Sequence, residues 1–108
     1  PGETMSSNSA VTVVGMVWYR REDYEAIRAI MIDSEELPDT YDKWFYQAEK
    51  TAKHLKRRGL LVERVYLNPH EFPDWCKTKG MQLNGAARSA FASEGARHEA
   101  SDEGYGTS

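Results

Sequence analysis

With 29% charged and 40% apolar residues, a chain of 108 residues holds enough apolar material for one small core and too much for a disordered chain. The formal net charge is −3, so attraction to nucleic acid or to an anionic membrane has to come from a local patch and not from the whole molecule. A single cysteine, Cys76, excludes an internal disulfide and every multi-cysteine metal site, and no apolar run approaches the roughly 20 residues that a membrane helix needs.

Residues 1–10 are small and polar and are set apart as a flexible segment. Val11 to Tyr19, VTVVGMVWY, is β-branched and aromatic with apolar side chains at both alternating sets of positions, which predicts a strand covered on both faces. Gly15 within it signals a bulge or the onset of ordered structure. Asp23 is placed as the N-cap of a short helix that turns Tyr24, Ile27, Ile30 and Met31 inward. Asp33 to Asp42 is a connection with five acids and no base, which brings negative charge to the start of the next helix.

Local signals are strongest between Leu37 and Gly59. Leu37-Pro38 favours an extended approach, Asp39 or Thr40 serves as N-cap, and Asp42 adds charge to the first turn. At about 100° per residue, Tyr41, Trp44, Phe45, Ala48, Ala52 and Leu55 fall within one arc of about 100°, a core-facing stripe. Lys56, Arg57 and Arg58 complement the dipole at the end, and Gly59 supplies a left-handed terminator. Leu60 to Leu67 is a second strand, with Leu61, Val65 and Leu67 on one face and Val62 and Tyr66 on the other; Glu63 and Arg64 put it near an edge or an end. Asn68, Pro69 and Glu71 form a helix start, and Pro73 makes the first turn irregular, so the regular helix is placed at Pro73 to Lys79, burying Phe72, Trp75 and Cys76 before Gly80 ends it. Asn84 caps a last helix packed through Ala86, Ala87, Ala90 and Phe91. Residues 93–108 hold few large apolar side chains and are read as a flexible tail, which leaves a single domain at 11–92.

The order β-α-α-β-α-α predicts an α+β fold with a small parallel sheet packed by helices, the crossover right-handed and the sheet open to extension by dimerisation. LPDTYDKW at Leu37 to Trp44, the glycine and strand of RGLLVERVYL, FPDWCKTKG at Phe72 to Gly80 and AARSAFA at Ala86 to Ala92 resemble small bacterial proteins of an uncharacterised family. That resemblance covers about Met16 to Ala92; it implies a bacterial origin and a compact, self-associating domain, and brings no activity with it.

Two groups of residues stand out as candidate surfaces. Lys43, Tyr46, Lys50, Lys53, His54 and Arg57 share the helix face opposite the apolar stripe, where cations interleaved with an aromatic can meet phosphates and a base; the same face also reads as a solvated one. Trp18, Tyr19, Tyr66 and Trp75 are the residue types that anchor interfaces, and a two-stranded sheet is too small to be stable alone. Asp33, Glu35, Glu36 and Asp39 lack the glycine and terminal glutamate of a calcium loop and are explained by capping and solubility. Cys76 with His70 or His54 lacks the flanking motif of a nucleophile and base, and a cysteine beside Trp75 reads as a small buried hydrophobe. No catalytic, cofactor or metal residue is assigned. The expectation is a cytoplasmic, non-catalytic interaction or structural module acting as a homodimer, with a further protein partner open and no membrane contact. The alternative is a nucleic-acid-binding protein using the basic helix face, and the third reading is a small enzyme.

Overall fold

The computed structural model describes residues 12–107, with side chains for 12–97; the segment 1–10 lies outside it. Along the chain come β1 (Val13–Trp18), a 3₁₀ turn (Arg21–Asp23), α1 (Tyr24–Ile30), a second 3₁₀ turn (Ser34–Glu36), α2 (Tyr41–Arg57), β2 (Leu61–Tyr66), α3 (Phe72–Lys79) and α4 (Gly85–Thr107). The fold is α+β, and β1 and β2 pair in parallel from Val13↔Leu61 to Trp18↔Tyr66.

Helix α2 forms as its local chemistry dictates. Thr40, rather than Asp39, is the N-cap, its hydroxyl accepting from the Lys43 N–H at 3.2 Å. At the other end Gly59 has φ 87°, the Gly59 N–H donates to Lys56 O and the Leu60 N–H to Leu55 O, so two otherwise unpaired carbonyls are satisfied by one left-handed residue. Trp44, Ala48 and Ala52 are buried, whereas Phe45, at the edge of the stripe, stays 37% exposed. Helix α3 starts after a turn in which Asn68 Oδ1 accepts from the His70 and Glu71 N–H groups, and it ends at Gly80 (φ 70°) with the same paired closure.

Alternation along the strands assigns the two faces of the sheet. Gly15 and Val65 face α4, while Trp18 and Arg64 face α2: Trp18 meets Trp44 edge-on with ring centroids 5.1 Å apart, and Arg64 lies over the Trp18 ring and pairs with Glu49 at 3.4 Å. The core gathers beyond the C-terminal ends of the strands. There Trp18, Tyr19 and Leu67 join Tyr24, Ile27 and Met31 of the α1 region, Trp44 of α2, Phe72 and Cys76 of α3, and Ala87 of α4. By contrast Val13 and Leu61, paired at the start of the sheet, are 40% and 53% exposed.

Helix α4 runs from Gly85 to Thr107, and its first turn past Ser93, as far as Ala96, packs on the sheet. Ala92 and Ala96 are buried, a Cβ on Gly15 would collide with the Ala92 carbonyl, and a Cβ on Gly95 would stand 2.5 Å from Val65 Cγ1. Close backbone approach replaces large side chains here, so low hydrophobicity does not signal a tail. Glu94 accepts from Trp75 Nε1 at 3.2 Å and pairs with Lys79 at 3.3 Å, tying the continuation to α3. The helix start is fixed twice: Asn84 Oδ1 accepts from the Ala87 N–H, and Asp33 Oδ2 accepts from the Gly85 N–H at 2.9 Å while its other oxygen takes Arg88 Nη1 at 2.9 Å.

Candidate functional site

Two strands leave two open edges, and they differ in chemistry. Thr12 O and Trp18 O accept from Leu61 N–H and Leu67 N–H of the β2 side, at 2.9 and 3.0 Å. Backbone direction alternates, so Val14 and Met16 also turn toward β2 while the N–H and C=O groups of Val13, Gly15 and Val17 turn away from it. Among the described residues no strand pairs with them. They face a groove between β1 and α4 made of two depressions that share Gly15 and Ser93. One, of about 370 Å³, lies between Val13–Gly15 and Ser93, Ala96 and Arg97; the other, of about 490 Å³, runs along Gly15–Val17 past Arg88, Ser89 and Ala92. Its α4 wall is low where Ser89, Ala92, Ser93 and Ala96 line it, with Arg88 and Arg97 as its charged members.

Among the described residues no charged or proline position of β1 itself guards this edge. VVGMVW contains no charge and no proline, whereas the centre of β2 carries Glu63 and Arg64, and charged residues on an edge strand oppose pairing. A separate, polar depression of about 550 Å³ lies between the second 3₁₀ turn and α2, lined by mixed charges that include Arg28, Glu36, Asp39 and Lys43. Asp39 there pairs with Lys43 at 3.6 Å; Arg28 Nε is enclosed without an acceptor among the described residues, and nothing in the structure explains it.

The residues expected at an interface separate. Trp18 and Tyr19 are 2% and 1% exposed and belong to the monomer's aromatic core, so they are unavailable as surface anchors; the Trp44 ring centroid lies 4.7 Å from that of Tyr19 and 6.1 Å from that of Tyr24. Tyr66 is 49% exposed under Arg20, on the β2 side of the sheet, and Trp75 is half-buried between Phe72 and Phe91. What the sequence did not single out is the β1 edge itself. Its apolar, uncharged composition was visible, but which backbone groups stay unpaired follows only from the register and from the position of α4.

Lys43, Tyr46, Lys50, Lys53, His54 and Arg57 are all exposed along α2, with Lys50 Nζ 5.3 Å from the Tyr46 ring centre. Cys76 is buried, burial pushes its thiol pKa up, and both His54 and His70 are exposed, an arrangement that disfavours a thiolate nucleophile. Among the described residues no group of three His, Cys, Asp or Glu side chains could hold a metal ion, and no helix is long and apolar enough to cross a membrane.

Comparison with known proteins found no matching family model, no matching curated protein and no matching solved structure, so the resemblance to an uncharacterised bacterial family has no family model behind it.

Proposed function

We propose that this chain is a non-catalytic interaction module that works as a homodimer, two copies pairing antiparallel along the open edge of β1 to make one four-stranded sheet. The observation that carries the reading is the row of outward N–H and C=O groups at Val13, Gly15 and Val17, which face a groove and, among the described residues, no strand. A two-stranded sheet is normally marginal, and extension to four strands supplies what it lacks. The strand is also self-complementary. With Gly15 opposite Gly15 on a twofold axis, Val13 of one copy faces Val17 of the other, so β-branched pairs flank the axis on both sides. Such an axis, perpendicular to the sheet, brings both α4 helices onto one face, where Ser89 and Ser93 on the groove flank keep their contact narrow. Cys76, a lone buried thiol, suits a reducing cytoplasm.

Sedimentation equilibrium at micromolar concentration tests this. The wild type should have a mass near twice 12.3 kDa, falling toward 12.3 kDa on dilution. Val13→Lys, at a position already 40% exposed, places a charge on the edge and should hold the chain at the lower mass with its circular dichroism unchanged. A concentration-independent mass of 12.3 kDa for the wild type overturns the homodimer, and a Val13→Lys variant that still dimerises moves the interface elsewhere.

A further inference from the structure

We propose that the outward face of α2 binds single-stranded nucleic acid, with phosphates on Lys50, Lys53 and Arg57 and one unpaired base on Tyr46. The face points away from the sheet, on the side opposite α4 and clear of the β1 edge, so this inference stands independently of the dimer. Three observations carry it. Across α2 from Lys43 onward and its cap Arg58, the only acid is Glu49, and Glu49 is turned aside to pair with Arg64 at 3.4 Å, so the outward charge is of one sign. Tyr46 is 65% exposed, and the one ring interaction it makes among the described residues is with Lys50, a cation set beside an aromatic face that is open to stacking. From Tyr46 to Arg57 the row extends for about 16 Å along the axis, long enough for a short run of nucleotides.

Neighbouring charges set the polarity of the site. Lys43 is offset by Asp39, and Glu35 and Glu36 line the depression at that end, so phosphates are repelled from the N-terminal turn and drawn toward Arg57. A membrane surface fits less well, because apart from Tyr46 the face has no apolar side chain to insert. A duplex fits less well too, since its bases are stacked on each other and offer no face to Tyr46.

The test is fluorescence anisotropy of labelled, mixed-sequence single-stranded RNA and DNA of 20 nucleotides, titrated with the full chain at low salt. Binding should weaken with salt along a log-log slope of about −2, as expected for three neutralised phosphates on a single strand. Tyr46→Ala should weaken it about tenfold and leave that slope unchanged, whereas Lys50→Glu/Lys53→Glu/Arg57→Glu should abolish it while the chain keeps its circular dichroism and a cooperative melt, at a somewhat lower midpoint because Arg57 complements the helix dipole. No anisotropy change with either strand overturns the proposal. So does equal affinity for duplex or for heparin with no effect of Tyr46→Ala, an outcome that would mark the face as a general polyanion or acidic-protein surface.

Discussion

Asp33→Ala removes one side chain and takes away two anchors of α4 together. The Asp33 and Arg88 side chains are 16% and 9% exposed, and their contact is two-pronged, at 2.9 and 3.4 Å. Removing the anion leaves a guanidinium enclosed without a counter-charge, which for a pair this buried costs about 3 kcal/mol. The Gly85 N–H loses its acceptor as well, adding about 1 kcal/mol at a helix start. A loss of about 4 kcal/mol is a large part of the roughly 5–15 kcal/mol that holds a domain folded, and lowers the melting midpoint by about 15–30 °C. Urea denaturation measures it. Asp33→Ala/Arg88→Met, which discharges the site, should recover about half of the loss. pH gives a second readout. Hydrogen bonds from Arg88, and then from the Gly85 N–H, hold the Asp33 carboxyl below the usual carboxylate range against the opposing effect of burial. Its contribution is therefore fully present above the unfolded value of about 3.9 and disappears as pH falls through the folded one, a stretch of acid sensitivity that Asp33→Ala should lack. An Asp33→Ala variant within about 1 kcal/mol of wild type, or a double variant less stable than the single one, would refute this account of the anchor.

Truncation before Glu94 should lower the melting midpoint by about 10 °C or more, since it strips the buried Ala96 from β1 and removes the Trp75 and Lys79 contacts; an unchanged midpoint would mean that the continuation of α4 contributes nothing. Burial pushes the Tyr19 hydroxyl up to about 12, so its stabilising contribution is complete below the unfolded value of about 10 and is lost as pH rises toward 12. Alkaline unfolding curves followed by tyrosinate absorbance should therefore be steeper for the wild type than for Tyr19→Phe, and identical curves would contradict the assignment.

Where structure depends on neighbours in sequence, it was legible there. Thr40 and Gly59 bound α2, Gly80 ends α3, and Asn84 starts α4, each by hydrogen bonds spanning a few residues. The β-α-α-β-α-α order and the parallel pair follow from those elements and the helical crossover between the strands. Long-range contacts were not legible. Asp33 and Arg88 are separated by 55 positions and neither announces the other. Residues past Ser93 look too polar to order, and only the bare backbone of Gly15, far away in sequence, lets Ala92 and Ala96 approach closely enough to pack. Trp18 and Tyr19 have the composition of interface anchors, yet the convergence of α1, α2 and α3 past the strand ends encloses them in the monomer.

Hydrogen exchange along both strands, followed by NMR as protein concentration rises, tests the central claim most directly, because pairing at β1 engages specific amides and no others. The Val13, Gly15 and Val17 N–H groups should be unprotected in dilute solution and gain protection together as the dimer forms, while Arg64 and Tyr66, whose N–H groups face the outer side of β2, stay unchanged. If those three amides exchange freely at every concentration, two copies do not join along β1.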